Sequence, residues 1–164
     1  MARALSVDPY KNFFFKVSFD ASGSSPVAGI NKVSGISKKA EPIKYRQGGD
    51  QLTDSLAPGL TTYDPITLEQ GMTQSAEFNA WANLTAPNNP ALPGYDPNPR
   101  KDITIDLYNE MGTKVMSYTI SNSWVSHYQA LPDLDAGANA IAIQTITLQH
   151  EGWTSTSGLV AASG

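Results

Sequence analysis

DITIDLY, Asp102 to Tyr108, alternates apolar and polar side chains without a break. Ile103, Ile105 and Leu107 fall on one side and Asp102, Thr104 and Asp106 on the other, the period of two of a strand with one buried face. A turn at Asn109-Glu-Met-Gly112 follows, then a long strand from Lys114 to Tyr128 with a polar middle. Upstream, Asn12 to Asp20 carries Phe13, Phe15, Val17 and Phe19 in the same alternation, with Phe14 on the polar face. Three consecutive phenylalanines imply that the start of this strand is covered on both sides. Val27–Ile36, Ala40–Tyr45 and the short run Pro65–Gln70, ended by Gly71, are further strands. Ala140 to Trp153 reads as the last, its apolar residues changing phase between Ile141/Ile143 and Ile146/Leu148. A bulge or burial on both faces accounts for that change.

One helix interrupts this pattern. Phe78, Trp81 and Ala82 stand at i, i+3 and i+4, on a segment capped by Thr73 or Ser75 and running to about Leu84. The expected class is mainly β: a β-barrel or sandwich of about six or seven antiparallel strands with one flanking short α-helix. A single domain is expected over residues 1–153, with 154–164 a flexible tail.

Two segments read as loops. Arg46 to Tyr63 spans eighteen residues with Gly48, Gly49, Pro58 and Gly59, and a loop of that length in a compact domain is functional or disordered. Thr85 to Arg100 holds Pro87, Pro90, Pro93, Pro97 and Pro99, a stiff extended surface segment.

Composition narrows the function. Of 164 residues, 16% are charged, against about 25% in an average soluble domain, which suits a surface covered by something other than water and equally a neutral β-protein with many Ser, Thr and Asn. A net charge of −4 offers no basic footprint, and Lys38, Lys39, Lys44 and Arg46 read as a solvated strand edge; no nucleic-acid binding is predicted. Cysteine is absent, so disulfides, thiolate metal sites and a Cys nucleophile are excluded. No apolar run approaches the roughly 20 residues that span a bilayer, and Met1–Tyr10 lacks a secretory signal pattern, so a soluble chain made in the cytoplasm is expected.

Catalytic signatures are missing. His127 and His150 lie far apart without metal-ligand spacing and read as structural histidines. Gly48-Gly49-Asp50 suits a flexible hinge better than an anion nest, because no helix begins there. Asp102 and Asp106 share the polar face of one strand, where solvation explains them. No catalytic residue, metal or cofactor is expected. What remains is β-surface in excess of what a lone small barrel needs, and long strand edges are hazards unless neighbouring copies cover them.

In order along the chain, several blocks resemble the phage tail tube protein family of the T4-like type. They are Asp8-Pro9-Tyr10-x-x-Phe13, Val27-Ala28-Gly29-Ile30-x-Lys32-Val33-Ser34-Gly35-Ile36, Glu41–Asp50, Ile66–Gly71, the pair Phe78/Trp81, and Gln149-His150-Glu151-Gly152-Trp153. The likeness is to the inner tube subunit of extracellular or thylakoid contractile injection systems, relatives of the type VI secretion tube. It implies hexameric rings stacked into a hollow tube, a surrounding sheath, baseplate and spike proteins at one end, a terminator at the other, and protein cargo in the lumen. The particle is then released extracellularly or membrane-anchored. On this pattern Arg46–Tyr63 reaches the adjacent ring. Arg46, Gly48, Gly49, Asp50, Leu56 and Leu60 are the expected ring-to-ring contacts, and Glu69 pairs with a basic residue of a neighbouring subunit. The alternatives are a baseplate tube-initiator paralogue and a monomeric ligand-binding β-barrel.

Overall fold

The computed structural model describes residues 14–27, 29–46, 48–49, 55–71, 77–84, 98–134, 136–137 and 141–157. In chain order the elements are β1 (Phe14–Ser18), β2 (Ile30–Val33), β3 (Lys38–Tyr45), β4 (Ser55–Tyr63), β5 (Ile66–Gly71), α1 (Glu77–Leu84), β6 (Lys101–Tyr108), β7 (Lys114–Gln129), β8 (Ile143–Gln149) and β9 (Gly152–Ser157). The mainly β, antiparallel class with one short helix is observed, with nine strands among the described residues instead of six or seven. Seven strands form one sheet in the order β1-β6-β7-β8-β5-β2, with β9 beside β7, while β3 and β4 form a separate two-stranded ribbon. Among the described residues the large sheet does not close into a barrel: β1 and β2 end its path.

β7 is long enough to belong to two halves of this sheet. Its first part pairs with β6 and β9, and its last residues pair with β8. The partner changes at Asn122, the only non-glycine residue with positive φ (52°) among the described residues. Asparagine tolerates that backbone better than most side chains. Polar groups hold this corner. The Asn122 backbone N–H donates to Asp102 Oδ1 (2.9 Å) and its side-chain amide to Glu151 Oε2 (2.7 Å). The other Glu151 oxygen accepts from Arg100. The bonds from Asn122 and Arg100 hold the Glu151 carboxyl below its ordinary range. The polar middle of β7 is therefore a bend.

The final strand expected over Ala140–Trp153 is broken in two, and β9 runs on to Ser157, into the segment read as a tail. Both pieces still track β7 in one line, Gln149 facing Trp124 and Gly152 facing Ser121. The phase change is confined to the start of β8: Ile141 precedes the strand and is exposed, and Ile143 is half-buried on the face opposite the buried Ile146 and Leu148.

The core gathers one face of each main strand. Ile66, Leu68, Ile103, Ile120, Ile146 and Leu148 are at most 1% exposed. The helix lays Phe78 and Trp81 on this layer, and Phe19 meets both rings at centroid distances of 5.9 and 4.7 Å. Trp81 Nε1 donates to the Pro99 carbonyl oxygen (2.9 Å). An eight-residue helix is too short to persist alone, so this packing holds it. Thr73 and Ser75, and residues 85–97 of the proline-rich segment, lie outside the described residues.

Two expectations need correcting here. Asp106 is not solvated: it is 5% exposed, because the turn after Asp20 folds over the polar face of β6. Ser117 Oγ donates to it at 2.6 Å, and Lys114 Nζ lies 3.5 Å away. Phe14, expected to be covered on both sides, is 63% exposed at the mouth of a groove described below.

Candidate assembly surface

Of the residues that raised the question of chemistry, His150, Asp102 and Asp106 have structural partners. Among the described residues no three His, Cys, Asp or Glu side chains gather to hold a metal. His127 is exposed near the end of β7. His150 follows β8 and points Nε2 at the Asp64 carbonyl oxygen, 3.0 Å away. Asp102 and Asp106 serve the corner and the covered face already described.

The long loop expected over Arg46–Tyr63 is half strand. β4 pairs with β3 from Lys38↔Tyr63 to Tyr45↔Ser55, making an arm. Its glycine and proline had the look of loop residues, yet each has a place in the ribbon. Pro42 faces Pro58. An opposed proline pair has no N–H to exchange, so it suits a non-hydrogen-bonded position, where it also removes outward donors from both edges. Gly59 lies where the register shifts, and a Cβ there would stand 2.6 Å from the Glu41 carbonyl oxygen. The readable signal was Leu56, Leu60 and the β-prone Thr61-Thr62-Tyr63.

Every residue of β3 is exposed. Leu56 and Leu60 are 63% and 72% exposed on β4, and Ile43 and Tyr45 are exposed on β3. Lys44 faces Leu56, while Ile43 faces Ala57 on the opposite side of the ribbon, so both faces carry uncovered apolar groups. A two-stranded hairpin with neither face covered is marginal in water. Of the expected contact residues, Arg46, Gly48 and Gly49 follow β3 and are exposed, with Gly49 at φ 112°, which only glycine adopts readily. Asp50 lies outside the described residues. Glu69 is elsewhere, on β5, where it accepts from Lys32 of β2 within the chain at 3.0 Å.

The root of the arm is pinned. Asp64 accepts from Ser37 Oγ and stands 3.2 Å from Lys39 Nζ, and its backbone N–H donates to the Ser37 carbonyl at 3.2 Å. The bond from Ser37, then the one from Lys39, lowers the Asp64 carboxyl below its ordinary value. Tyr63 lies against His150, with ring centroids 5.5 Å apart. Sequence reading missed Ser37, Lys39 and Asp64 because their partnership crosses the ribbon.

Beside this root lies an apolar groove of about 430 Å³, walled by Phe14, Phe15, Ile36, Leu107, Tyr118 and Trp153 among others. Trp153 is set edge-on to Tyr118, with Lys38 Nζ 6.0 Å from its ring centre. Its Nε1 is buried without an acceptor among the described residues.

The model of the T4-like virus tail tube protein gp19 family matches residues 11–154. No curated protein matches significantly. Among solved structures, a chain in the cryo-EM structure of the PVC extracellular contractile injection system sheath–tube complex, in its extended state, is 28% identical with a TM-score of 0.73. The match covers 93% of this chain and 94% of that one. A chain in the anti-feeding prophage tube-terminating cap is 27% identical, also with a TM-score of 0.73, over 94% and 99% of the two chains. Hcp1 from Flavobacterium johnsoniae shares the fold at 14% identity and TM-score 0.54, over 88% and 96%.

Proposed function

This chain belongs to the T4-like virus tail tube protein family, and from that premise we propose that it is the inner tube subunit of a contractile injection particle, forming hexameric rings that stack into a hollow conduit. The family and its solved neighbours are structural tube and cap proteins, and the chain is a structural protein, not an enzyme. The observation that carries the finer reading is the arm β3–β4: a ribbon with exposed apolar side chains on both faces, left uncovered by the described residues. Such a ribbon is stable when other copies cover it.

The mechanism is mechanical. Rings hold register through the arm, with Arg46, Gly48, Gly49 and Asp50 in the segment between its two strands and Leu56 and Leu60 supplying apolar burial. Sheath contraction drives the rigid tube through a target envelope, and protein cargo travels in the lumen. Sheath, baseplate, spike and terminator are the partners this role requires. The particle is released or membrane-anchored; no helix among the described residues is long and apolar enough to cross a membrane. Glu69, which accepts from Lys32 within the chain, is proposed to meet a basic residue of the next subunit as well.

Deleting Gln51–Thr61 tests this. The variant is expected to fold and to form no tubes in electron micrographs; tubes of normal length from it would refute the role of the arm. The similarity to a chain in a tube-terminating cap favours a second reading, a ring-only paralogue, which predicts single rings that never lengthen with concentration.

A further inference from the structure

We propose that the apolar groove between β1, β6, β9 and the Val33–Ile36 segment is a binding site for a medium-chain alkyl carboxylate, with Lys38 holding the acid group at one end. The inference concerns the single subunit and is independent of the stacking reading above.

The walls of the groove are apolar and uncharged. Phe15, Ile36, Ile105 and Leu107 supply most of them, and no lining residue carries a charge. The volume of about 430 Å³ lies within the roughly 300–1,000 Å³ of small-molecule sites.

Strand register gives the groove a long axis. Trp153 is level with Ile103, through Ile120 of β7, and Leu107 stands further along β6. Ile103 and Leu107 are about 13 Å apart at roughly 3.3 Å per residue. An alkyl chain fills such a length, where a compact ring system leaves one end empty.

The polar groups at the groove are donors. Lys38 Nζ lies 6.0 Å from the Trp153 ring centre and is exposed. It has no carboxylate partner among the described residues, since Asp64 is held by Ser37 and Lys39. Ser34 Oγ accepts from the Thr67 backbone N–H at 2.8 Å, which leaves its hydroxyl hydrogen to donate. Tyr118, edge-on to Trp153, brings a second hydroxyl without a partner among the described residues. A carboxylate only accepts and is negative, so it suits all three groups. An ammonium head would meet like charge at Lys38.

Titrating sodium decanoate, below its micelle concentration, into a dilute solution of the isotope-labelled full chain reads the site. The indole N–H resonance of Trp153, identified by its loss in Trp153→Phe, should shift. That of Trp81, buried in the core, should stay. The thermal midpoint should rise, as with any ligand that prefers the folded state. Octanoate should bind more weakly, by about fourfold for each methylene lost. Decanol should bind about fivefold more weakly than decanoate, and Lys38→Met should erase that difference. A Trp153 resonance unmoved by decanoate would overturn the site. A shift shared equally by all three indoles, with a falling midpoint, would do so too, because it marks a detergent effect. Equal affinity of the wild-type chain for decanol and decanoate would overturn the role of the acid group. The tube role stands or falls separately, on the electron micrographs.

Discussion

Nε2 of His150 lies 3.0 Å from the carbonyl oxygen of Asp64, so the junction between β8 and β9 holds the root of the arm. A carbonyl only accepts, so the ring donates from Nε2. The arm leaves the body at a point fixed by this bond, by the Asp64 clamp and by Tyr63 against His150. On the proposed function, a ribbon that meets another copy at a set angle needs such a root.

Asp64→Ala should therefore release the arm without unfolding the body. Hydrogen exchange across 38–63 should quicken while the thermal midpoint moves little. The pH dependence follows from the lowered carboxyl. Its contribution is present above the ordinary value of 3.8, and is lost as pH falls through the lower folded value. The exchange difference between wild type and variant should persist at neutral pH and vanish in strong acid. A difference unchanged into strong acid would show that the carboxylate is not the clamp.

Gly59→Val should disrupt the ribbon, because the new Cβ meets the Glu41 carbonyl oxygen at 2.6 Å, backbone that cannot swing aside. The rest of the sheet should keep its slow-exchanging amides. Normal exchange in β3 and β4 of this variant would refute the close approach.

Leu56→Ser and Leu60→Ser should leave urea unfolding within about 0.5 kcal/mol of wild type, since both side chains are already in water. Sedimentation should nonetheless show assembly reduced or lost. A large stability loss would mean that these leucines pack inside their own chain.

Trp81→Ala removes a core ring under the helix and its bond to Pro99, and should cost about 3–5 kcal/mol in urea unfolding. A cost below 1 kcal/mol would place the helix outside the cooperative unit.

The strands of the body were legible because their alternation follows burial: Ile103, Ile105, Ile146 and Leu148 face inward as their spacing demands. The helix was legible for the same reason, through Phe78 and Trp81. The arm was not. Its apolar side chains lie on both faces, so no buried face imposes a period, and Pro58 and Gly59 signal a loop where they serve a bulged ribbon. The bend at Asn122 was hidden because it arises where β7 changes partner, and the break after Gln149 because it lies opposite that bend, between Trp124 and Ser121. Of the expected contacts, Leu56, Leu60, Arg46, Gly48 and Gly49 fall on or beside the arm, while Glu69 stands apart with Lys32.

Electron microscopy of the purified chain over a range of concentrations, alone and with its baseplate assembly, tests the central claim most directly. The account predicts rings of six that lengthen into hollow tubes. Monodisperse single domains at every concentration, with the baseplate present, would contradict it.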